Sequence, residues 1–285
     1  MKVGVVQLTA TNDIESNWRK CQAFVEEAKA QGAQMVFLPE NFDYVAPNRE
    51  EALRLAQPLD GPLIQRYREL CRREGVWASL GGFHEVNSRG KLFNTHLVVD
   101  SSGEVAAVYR KYHLFDVDIP SGPRLMESLQ TDSGFPGHPQ AVVPSPVGQL
   151  GLSICYDLRF PELFRRMMLF PEALGASSPP EVLVVPATWT YHTGPHWEVL
   201  LRARAIENQV YVVASAQFGM NNENRRSAGQ SMVVDPWGNV IAKASDKEGV
   251  IFATLDLNYL KEVRKNMPVL NHAIKQFYNK DPQKL

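Results

Sequence analysis

Cys155 stands where one pattern gives way to another. Before it, Leu150, Leu152 and Ile154 alternate with Gly151 and Ser153, the period of a short strand. After it come Tyr156, Asp157 and Arg159, then Pro161, which suits the first turn of a helix because proline has no amide hydrogen to leave unpaired there. The spacing predicts a strand-to-helix elbow, with the helix over Pro161–Leu169. A thiol at such an elbow projects from a sheet end toward the positive end of a helix, which favours thiolate. A cysteine buried in a core is the plainer reading. Choosing between them needs a base and an anion-stabilising cation elsewhere in the chain.

Two other strand ends carry those groups. In Phe37-Leu-Pro-Glu40 a carboxylate follows a buried strand directly, where partial desolvation would raise its pKa into the range of a useful base. In Tyr109-Arg-Lys-Tyr-His-Leu-Phe115, Lys111 lies just past a strand, and an ammonium beside a thiol can stabilise the oxyanion of acyl transfer. Attack by a thiol on an amide needs both a proton acceptor and oxyanion donors; the Tyr156 amide is a second donor. Taken singly, Glu40 and Lys111 also fit ordinary exposed positions, and composition alone does not bring the three together. His192 and His196 suggest no metal: Gly194-Pro195 breaks a shared helical face and no third ligand is evident.

The elements around these residues alternate. Strands are expected over Val3–Leu8, Met35–Leu38, Val76–Leu80, Leu92–Val99, Val105–Tyr109, Val182–Val185, Tyr211–Ala216, Gly229–Val234, Val240–Ala244 and Val250–Leu255. Helices are expected from Asp13 to about Gln31, from Pro62 to Arg73, and over His196–Asn208, with a short one from Asn258. Tyr112–Gln140 is a long irregular stretch rich in proline and glycine, and loops of that length inside compact domains are usually functional or mobile. Pro171–Pro180 is an exposed connection without chemistry. Interleaved helices and strands with no linker predict one α/β domain of roughly duplicated halves.

The chain has 285 residues, 44% of them hydrophobic and 21% charged, ordinary for a protein with a full core. A net charge of −1 gives no basic field for nucleic acid or a membrane surface, so a charged substrate must be gripped locally. Cys21, Cys71 and Cys155 are an odd, sparse set, which argues against a disulfide framework and for a reducing compartment, with a cytoplasmic location expected. Cys21 and Cys71 fall on helical core stripes. No apolar run approaches the roughly 20 residues of a membrane span, and Met1–Ala10 reads as a strand rather than a signal peptide.

Three segments, Phe-Leu-Pro-Glu-Asn at 37–41, Tyr-Arg-Lys-Tyr-His-Leu-Phe-Asp at 109–116 and Ile-Cys-Tyr-Asp-Leu-Arg-Phe-Pro-Glu at 154–162, resemble in order the signature segments of the nitrilase, or carbon–nitrogen hydrolase, superfamily. The resemblance runs from Val3-Gly-Val-Val-Gln-Leu8 to Val233-Val-Asp-Pro-Trp-Gly238. It implies a four-layer αββα sandwich, paired into a dimer through its helices. It further implies Glu40 as base, Lys111 as oxyanion stabiliser, Cys155 as nucleophile and Glu127 as the family's second glutamate, with no cofactor and no metal. The domain is expected over residues 1–265, with a tail over 266–285 expected at the dimer interface.

Gly194–Asn208, Ser231–Gly238 and Leu255–Leu260 are similar to the amidases that hydrolyse deaminated glutathione, an α-ketoglutaryl amide of Cys-Gly. The ω-amidases acting on α-ketoglutaramate share the cysteine segment and match the later part less closely. Pro171–Pro180 is longer than the usual turn in either branch. Both substrates are small carboxylated amides. The Arg159 fork could hold a carboxylate bidentately, against the alternative of a salt bridge within the elbow. Trp189 and Thr193 look placed for substrate contact, Trp189 having core packing as its alternative, and Tyr44 is a weaker pocket candidate. An N-carbamoyl amine hydrolase, a nitrile hydrolase and a non-catalytic scaffold are the remaining rivals.

Overall fold

The computed structural model describes residues 1–118, 124–135 and 141–275. Parts of the proline- and glycine-rich stretch, 119–123 and 136–140, and the tail from 276 lie outside the described residues.

Apolar residues at period two on short strands create two faces that must both be covered. In Lys2–Leu8, Val3 and Val5 pack one way while Val6 and Leu8 pack the other; in Met35–Leu38, Met35 and Phe37 part from Val36 and Leu38 in the same manner. The first set joins a core shared with Leu150, Leu152, Val184 and Val212 of a second sheet. The other set packs under the helices Ile14–Ala30 and Pro62–Glu74 through Trp18, Val25, Ile64 and Tyr67. On the far side, Phe164 and Met167 of Pro161–Leu169 and Trp197 and Leu201 of Gly194–Asn208 cover the second sheet. The result is helix, sheet, sheet, helix, the four-layer αββα order.

The first sheet has eight strands. Arg225–Ala228, Ala216–Asn222, Lys2–Leu8, Met35–Leu38, Trp77–Val86, Leu92–Val99 and Val105–Arg110 follow in that spatial order, and Gly249–Thr254 also pairs with Lys2–Leu8. The second has six, in the order Val240–Lys243, Met232–Val234, Tyr211–Ala214, Val182–Val184, Leu150–Leu152 and Val142–Val143. Lys2–Leu8, Met35–Leu38 and the start of Trp77–Val86 run parallel, as do Leu150–Leu152, Val182–Val184 and Tyr211–Ala214. Ligands of open parallel sheets gather beyond the carboxyl ends of such strands, and Glu40 and Cys155 each follow one.

Asp13 caps the first helix by accepting from Ser16 N at 2.9 Å, as its position predicts. Three elements differ from expectation. Tyr211–Ala216 is not one strand: the chain leaves the six-stranded sheet at Ala214 and enters the eight-stranded one at Ala216. Ser215 fixes the crossing by donating its hydroxyl to Leu38 O at 2.9 Å. Beyond it the hairpin Ala216–Asn222/Arg225–Ala228 was not anticipated, nor was the helix Arg49–Leu55, which Asn48 caps through Glu51 N. The stretch at 112–140 holds a short ribbon, Asp116–Asp118 with Arg124–Met126, followed by a 3-10 turn over Glu127–Leu129. Among the described residues no helix is long and apolar enough to cross a membrane.

Candidate active site

Glu40 follows the strand Met35–Leu38, and its peptide neighbour Asn41 takes φ 58. Positive φ in a non-glycine residue is uncommon and costly, and is kept where the surroundings impose it. Here Asn41 N donates to Gly82 O at 2.8 Å. Gly82 itself sits at φ +68, and a Cβ there would lie 2.5 Å from Glu40 Cγ. The bend at Gly81-Gly82, where the register between Trp77–Val86 and Leu92–Val99 shifts, therefore makes room for the Glu40 side chain.

Cys155 arrives from the other sheet. Its backbone is also at positive φ, 46, and its amide donates to Pro186 O at 2.8 Å. A 3-10 turn, Cys155–Arg159, leads into the helix Pro161–Leu169, so the elbow has the shape its sequence predicts. Asp157, fully buried, locks this turn. Its carboxylate accepts from Ile154 N (3.0 Å), Tyr109 Oη (2.8 Å), His113 N (3.0 Å) and His113 Nδ1 (2.7 Å), tying the cysteine segment to the lysine segment.

Lys111 lies one residue beyond Val105–Arg110 and is 2% exposed. Its Nζ donates to Glu40 Oε1 at 3.0 Å and to Glu127 at 2.9 and 3.2 Å. Glu40 also accepts from Thr188 N at 2.7 Å and from Asn94 Nδ2 at 2.8 Å. Glu127 accepts from Phe115 N at 2.7 Å and from the same Asn94 amide at 3.2 Å. Sequence reasoning did not single out Asn94, which lines up with Lys111 on both counts: the two side chains share both carboxylates, and Lys111 N donates to Asn94 O at 2.9 Å. Since both carboxylates only accept, the Asn94 NH2 must face them. Its Oδ1 is left buried without a partner.

Glu40, Lys111, Glu127 and Cys155 all line one cavity of about 520 Å³. Burial alone would raise the Glu40 pKa. The Lys111 and Arg225 charges and the bonds from Lys111 and Thr188 outweigh it and hold the carboxyl well below its usual range. Burial, then the Glu40 charge, pushes the Cys155 thiol well up, with Lys111 opposing. Lys111 is held above its usual range by Glu127 and Glu40 against burial. Two expectations are thereby corrected. Glu40 is not raised toward neutrality, because a lysine is bonded to it. Cys155 is not a resting thiolate, because desolvation and a neighbouring carboxylate exceed any pull from the helix end. The resting arrangement is a thiol beside an ionised carboxylate.

The remaining expected residues divide into two groups. Tyr156, Arg159, Trp189 and Thr193 line a narrow slot of about 10 Å³ that also reaches Cys155, together with Phe115 and Thr188. Arg159 lies over the Trp189 ring at 4.8 Å and meets His196 Nδ1 at 3.2 Å; it makes no salt bridge within the elbow. Trp189 donates to Thr193 O at 2.8 Å and packs on Trp197. Tyr44 stands apart: it is 1% exposed, donates to Ala52 O at 2.7 Å and stacks on His84 at 4.1 Å. The cavity wall there is His84, so Tyr44 supports the wall from behind rather than facing a ligand. Cys21 and Cys71 are buried in the helix-covered core, each thiol pushed up to about 12 by burial.

Residues 2–265 match the family model described as carbon-nitrogen hydrolase. The chain belongs to the carbon–nitrogen hydrolase family. It is a hydrolase of amide carbon–nitrogen bonds. Over 285 residues it is 46% identical to the deaminated glutathione amidase of Bos taurus, covering 97% of this chain and 83% of the relative. The solved NitFhit protein of C. elegans superposes with a TM-score of 0.87 at 44% identity, over 98% of this chain and 66% of that one, so the hydrolase spans about two thirds of the worm protein. A solved amidase of Nesterenkonia sp. AN1, with TM-score 0.72 and 25% identity over 94% of this chain and 98% of its own, is described as showing Michael addition of acrylamide at the active site cysteine.

Proposed function

We propose that this hydrolase is a cysteine amidase that cleaves deaminated glutathione to α-ketoglutarate and Cys-Gly through a thioester. The observation that carries the reading is Glu40, fixed by Lys111, Asn94 and Thr188 in the cavity that also holds Cys155. The similarity to deaminated glutathione amidases over nearly the full chain supports the substrate. A cavity of about 520 Å³ falls in the range of roughly 300–1,000 Å³ in which proteins enclose small organic ligands.

In this reaction Glu40 takes the Cys155 proton as sulfur attacks the amide carbon, and the carbonyl electron pair moves onto oxygen. Lys111 and the Tyr156 amide meet that oxyanion; an amide in the first turn of a helix has no acceptor in the helix itself. The carbon–nitrogen bond then breaks, and Glu40 returns its proton to the leaving nitrogen. A water gives a proton to Glu40 and attacks the thioester, and the departing sulfur regains that proton. Glu127 keeps Lys111 oriented throughout by accepting from it. Arg159 takes the α-keto acid end of the acyl arm by exchanging its contacts with Trp189 and His196 for the carboxylate.

The functional unit is a homodimer or higher homo-oligomer of the 1–265 domain, joined through the outer helices. Val199 and Ile206 on Gly194–Asn208 and the neighbouring Trp237 and Ile241 are 66%, 47%, 57% and 41% exposed, an apolar set suited to burial against a second copy. The enzyme works in the cytoplasm, whose reducing conditions suit three free cysteines.

Incubating the protein with deaminated glutathione and following α-ketoglutarate release tests the reading. Turnover is expected for the unmodified enzyme and a loss of at least about 10⁴-fold for Cys155→Ala. Faster turnover of α-ketoglutaramate than of deaminated glutathione would move the assignment to an ω-amidase. Retained activity in Cys155→Ala would remove it altogether.

A further inference from the structure

We propose that Arg225 forms an anion subsite for the leaving amine, on the other side of Cys155 from Arg159, so that the amide cleaved here carries a carboxylate on each arm. The inference rests on the amidase reading and adds the seat of the second carboxylate.

Arg225 opens the second strand of the unanticipated hairpin at the edge of the eight-stranded sheet. It is half-buried and lines the cavity that holds Cys155 and Glu40. Its Nη2 donates to Thr188 O at 3.2 Å, and Thr188 N in turn donates to Glu40 Oε2 at 2.7 Å. The two backbone groups of one residue thus place the guanidinium on the same wall as the general base.

The guanidinium is underused. Among the described residues no carboxylate lies within salt-bridge distance of it, and its Nε is buried without a hydrogen-bond partner. An arginine carries five N–H donors in a fixed fork matched to a carboxylate. Glu40 does not claim that fork, since its oxygens are already bonded to Lys111, Asn94 and Thr188. His84, held by Asp43 through its backbone N and its Nδ1, stands on the wall of the same cavity, as does Arg49. With Lys111, Arg49 and Arg225 against Glu40 and Glu127, this side of Cys155 carries one more permanent cation than carboxylates.

Proton delivery decides which arm lies there. The leaving nitrogen receives its proton from Glu40, so it must face the Glu40 wall when the carbon–nitrogen bond breaks. Arg225 shares that wall. Arg159 lies in the slot with Trp189 and Thr193, which Thr188 bounds but which neither Glu40 nor Arg225 lines. The acyl arm accordingly points to Arg159, whose slot widens as the guanidinium leaves Trp189 and His196, and the amine arm to Arg225. In deaminated glutathione the amine arm is Cys-Gly, whose carboxylate lies a few bonds from the scissile nitrogen.

The test compares deaminated glutathione with its glycinamide counterpart, which lacks only that carboxylate. A charge-assisted contact predicts that the unmodified enzyme prefers the carboxylate in kcat/KM by about tenfold to a hundredfold. Arg225→Gln is expected to bring the ratio to within about threefold of unity, and Arg225→Lys to keep part of it. Arg159→Gln lowers both rates and leaves the ratio standing. Where Arg225→Gln is too slow to assay, calorimetric binding of the two amides to Cys155→Ala, with and without Arg225→Gln, reads the same ratio. A preference that survives loss of the Arg225 guanidinium, or no preference in the unmodified enzyme, overturns the subsite alone. If the unmodified enzyme hydrolyses neither amide, the amidase reading fails and the subsite falls with it.

Discussion

Glu40 and Asp157 are both carboxylates taken out of water, with side chains 4% and 0% exposed, and burial of either is tolerable only because donors surround it. They differ in whose donors these are. Asp157 collects Tyr109 Oη, Ile154 N and two groups of His113, all from the segments it joins, and it lines neither the 520 Å³ cavity nor the Arg159 slot. Glu40 shares Asn94 and Lys111 with a second carboxylate, Glu127, and faces the cavity. A carboxylate whose donors serve it alone is a fixed knot. One whose donors are also bonded elsewhere keeps a charge that neighbours can adjust, as the base of the proposed mechanism requires.

Breaking the knot should have the larger consequence. Asp157→Asn replaces two accepting oxygens with one and turns an NH2 toward groups that donate. Stability is expected to fall by about 3–5 kcal/mol, the range for removing one partner from a buried charged network. Urea unfolding checks this, and an Asp157→Asn protein as stable as the parent would erase the distinction from Glu40. Amidase activity should fall as well, because the Asp157 carboxylate sets the turn that carries Cys155.

On the Glu40 side the informative change is Asn94→Asp. It converts the shared donor into a third carboxylate, next to oxygens now at 2.8 and 3.2 Å. The fold should tolerate it better than Asp157→Asn, while kcat/KM drops by about 10²-fold. The pH profile gives the sign. In the proposed mechanism Glu40 must be ionised to accept the thiol proton, and its carboxyl is held low by Lys111 and Arg225 against burial. An added negative charge favours the protonated form, so the acid limb of kcat/KM must move to higher pH. Asn94→Ala removes a donor without adding charge and should move the limb less. An unmoved limb in Asn94→Asp would mean that Asn94 merely fills space.

The three chemical segments were readable because each is local: an apolar run, a strand end, and the reactive residue just past it. Asn94, Thr188 and Arg225 were not, since their positions depend on which strands become neighbours. Asn94 lies opposite His84 across the strand pair, and Thr188 comes from the other sheet. One signal is in the sequence: Asn94-Thr95-His96 interrupts an otherwise apolar strand with three polar residues, all buried and all bonded. The pKa directions are tertiary in the same way: Glu40 is lowered by Lys111 and Arg225, and Cys155 is raised by burial and then by Glu40. The hairpin bearing Arg225 was hidden by the continuity of Tyr211–Ala216, whose apolar pattern does not announce a change of sheet.

His96 carries the comparison from carboxylates to a base buried uncharged. Ser79 Oγ lies 2.7 Å from its Nε2 and Ser153 O 3.1 Å from its Nδ1, so the ring bridges the two sheets just upstream of Cys155. Burial lowers its pKa from 6.5 to about 4, against the bond to Ser153. Above pH 6.5 the ring is neutral folded or unfolded and stability does not depend on it. As pH falls from about 6.5 to about 4 the unfolded chain binds a proton that the folded one refuses, and up to about 3 kcal/mol is lost. His96→Gln should be less stable at neutral pH yet lose less between those limits. Parallel stability–pH curves for the two proteins would show that other groups control the acid transition.

The smallest effect is expected where sequence placed a substrate contact and structure places a support. The Tyr44 hydroxyl donates to Ala52 O at 2.7 Å and its ring backs the cavity residue His84. Tyr44→Phe keeps the ring and leaves one buried carbonyl without its donor, a cost of about 1–2 kcal/mol. Because the hydroxyl does not reach the cavity, kcat/KM for deaminated glutathione should stay within about twofold of the parent. Tyr44→Ala removes the ring and lets His84 shift, so its KM should rise while Tyr44→Phe leaves it alone. A tenfold KM increase in Tyr44→Phe would instead make Tyr44 a direct contact, and would move the wall of the leaving-amine subsite outward past His84.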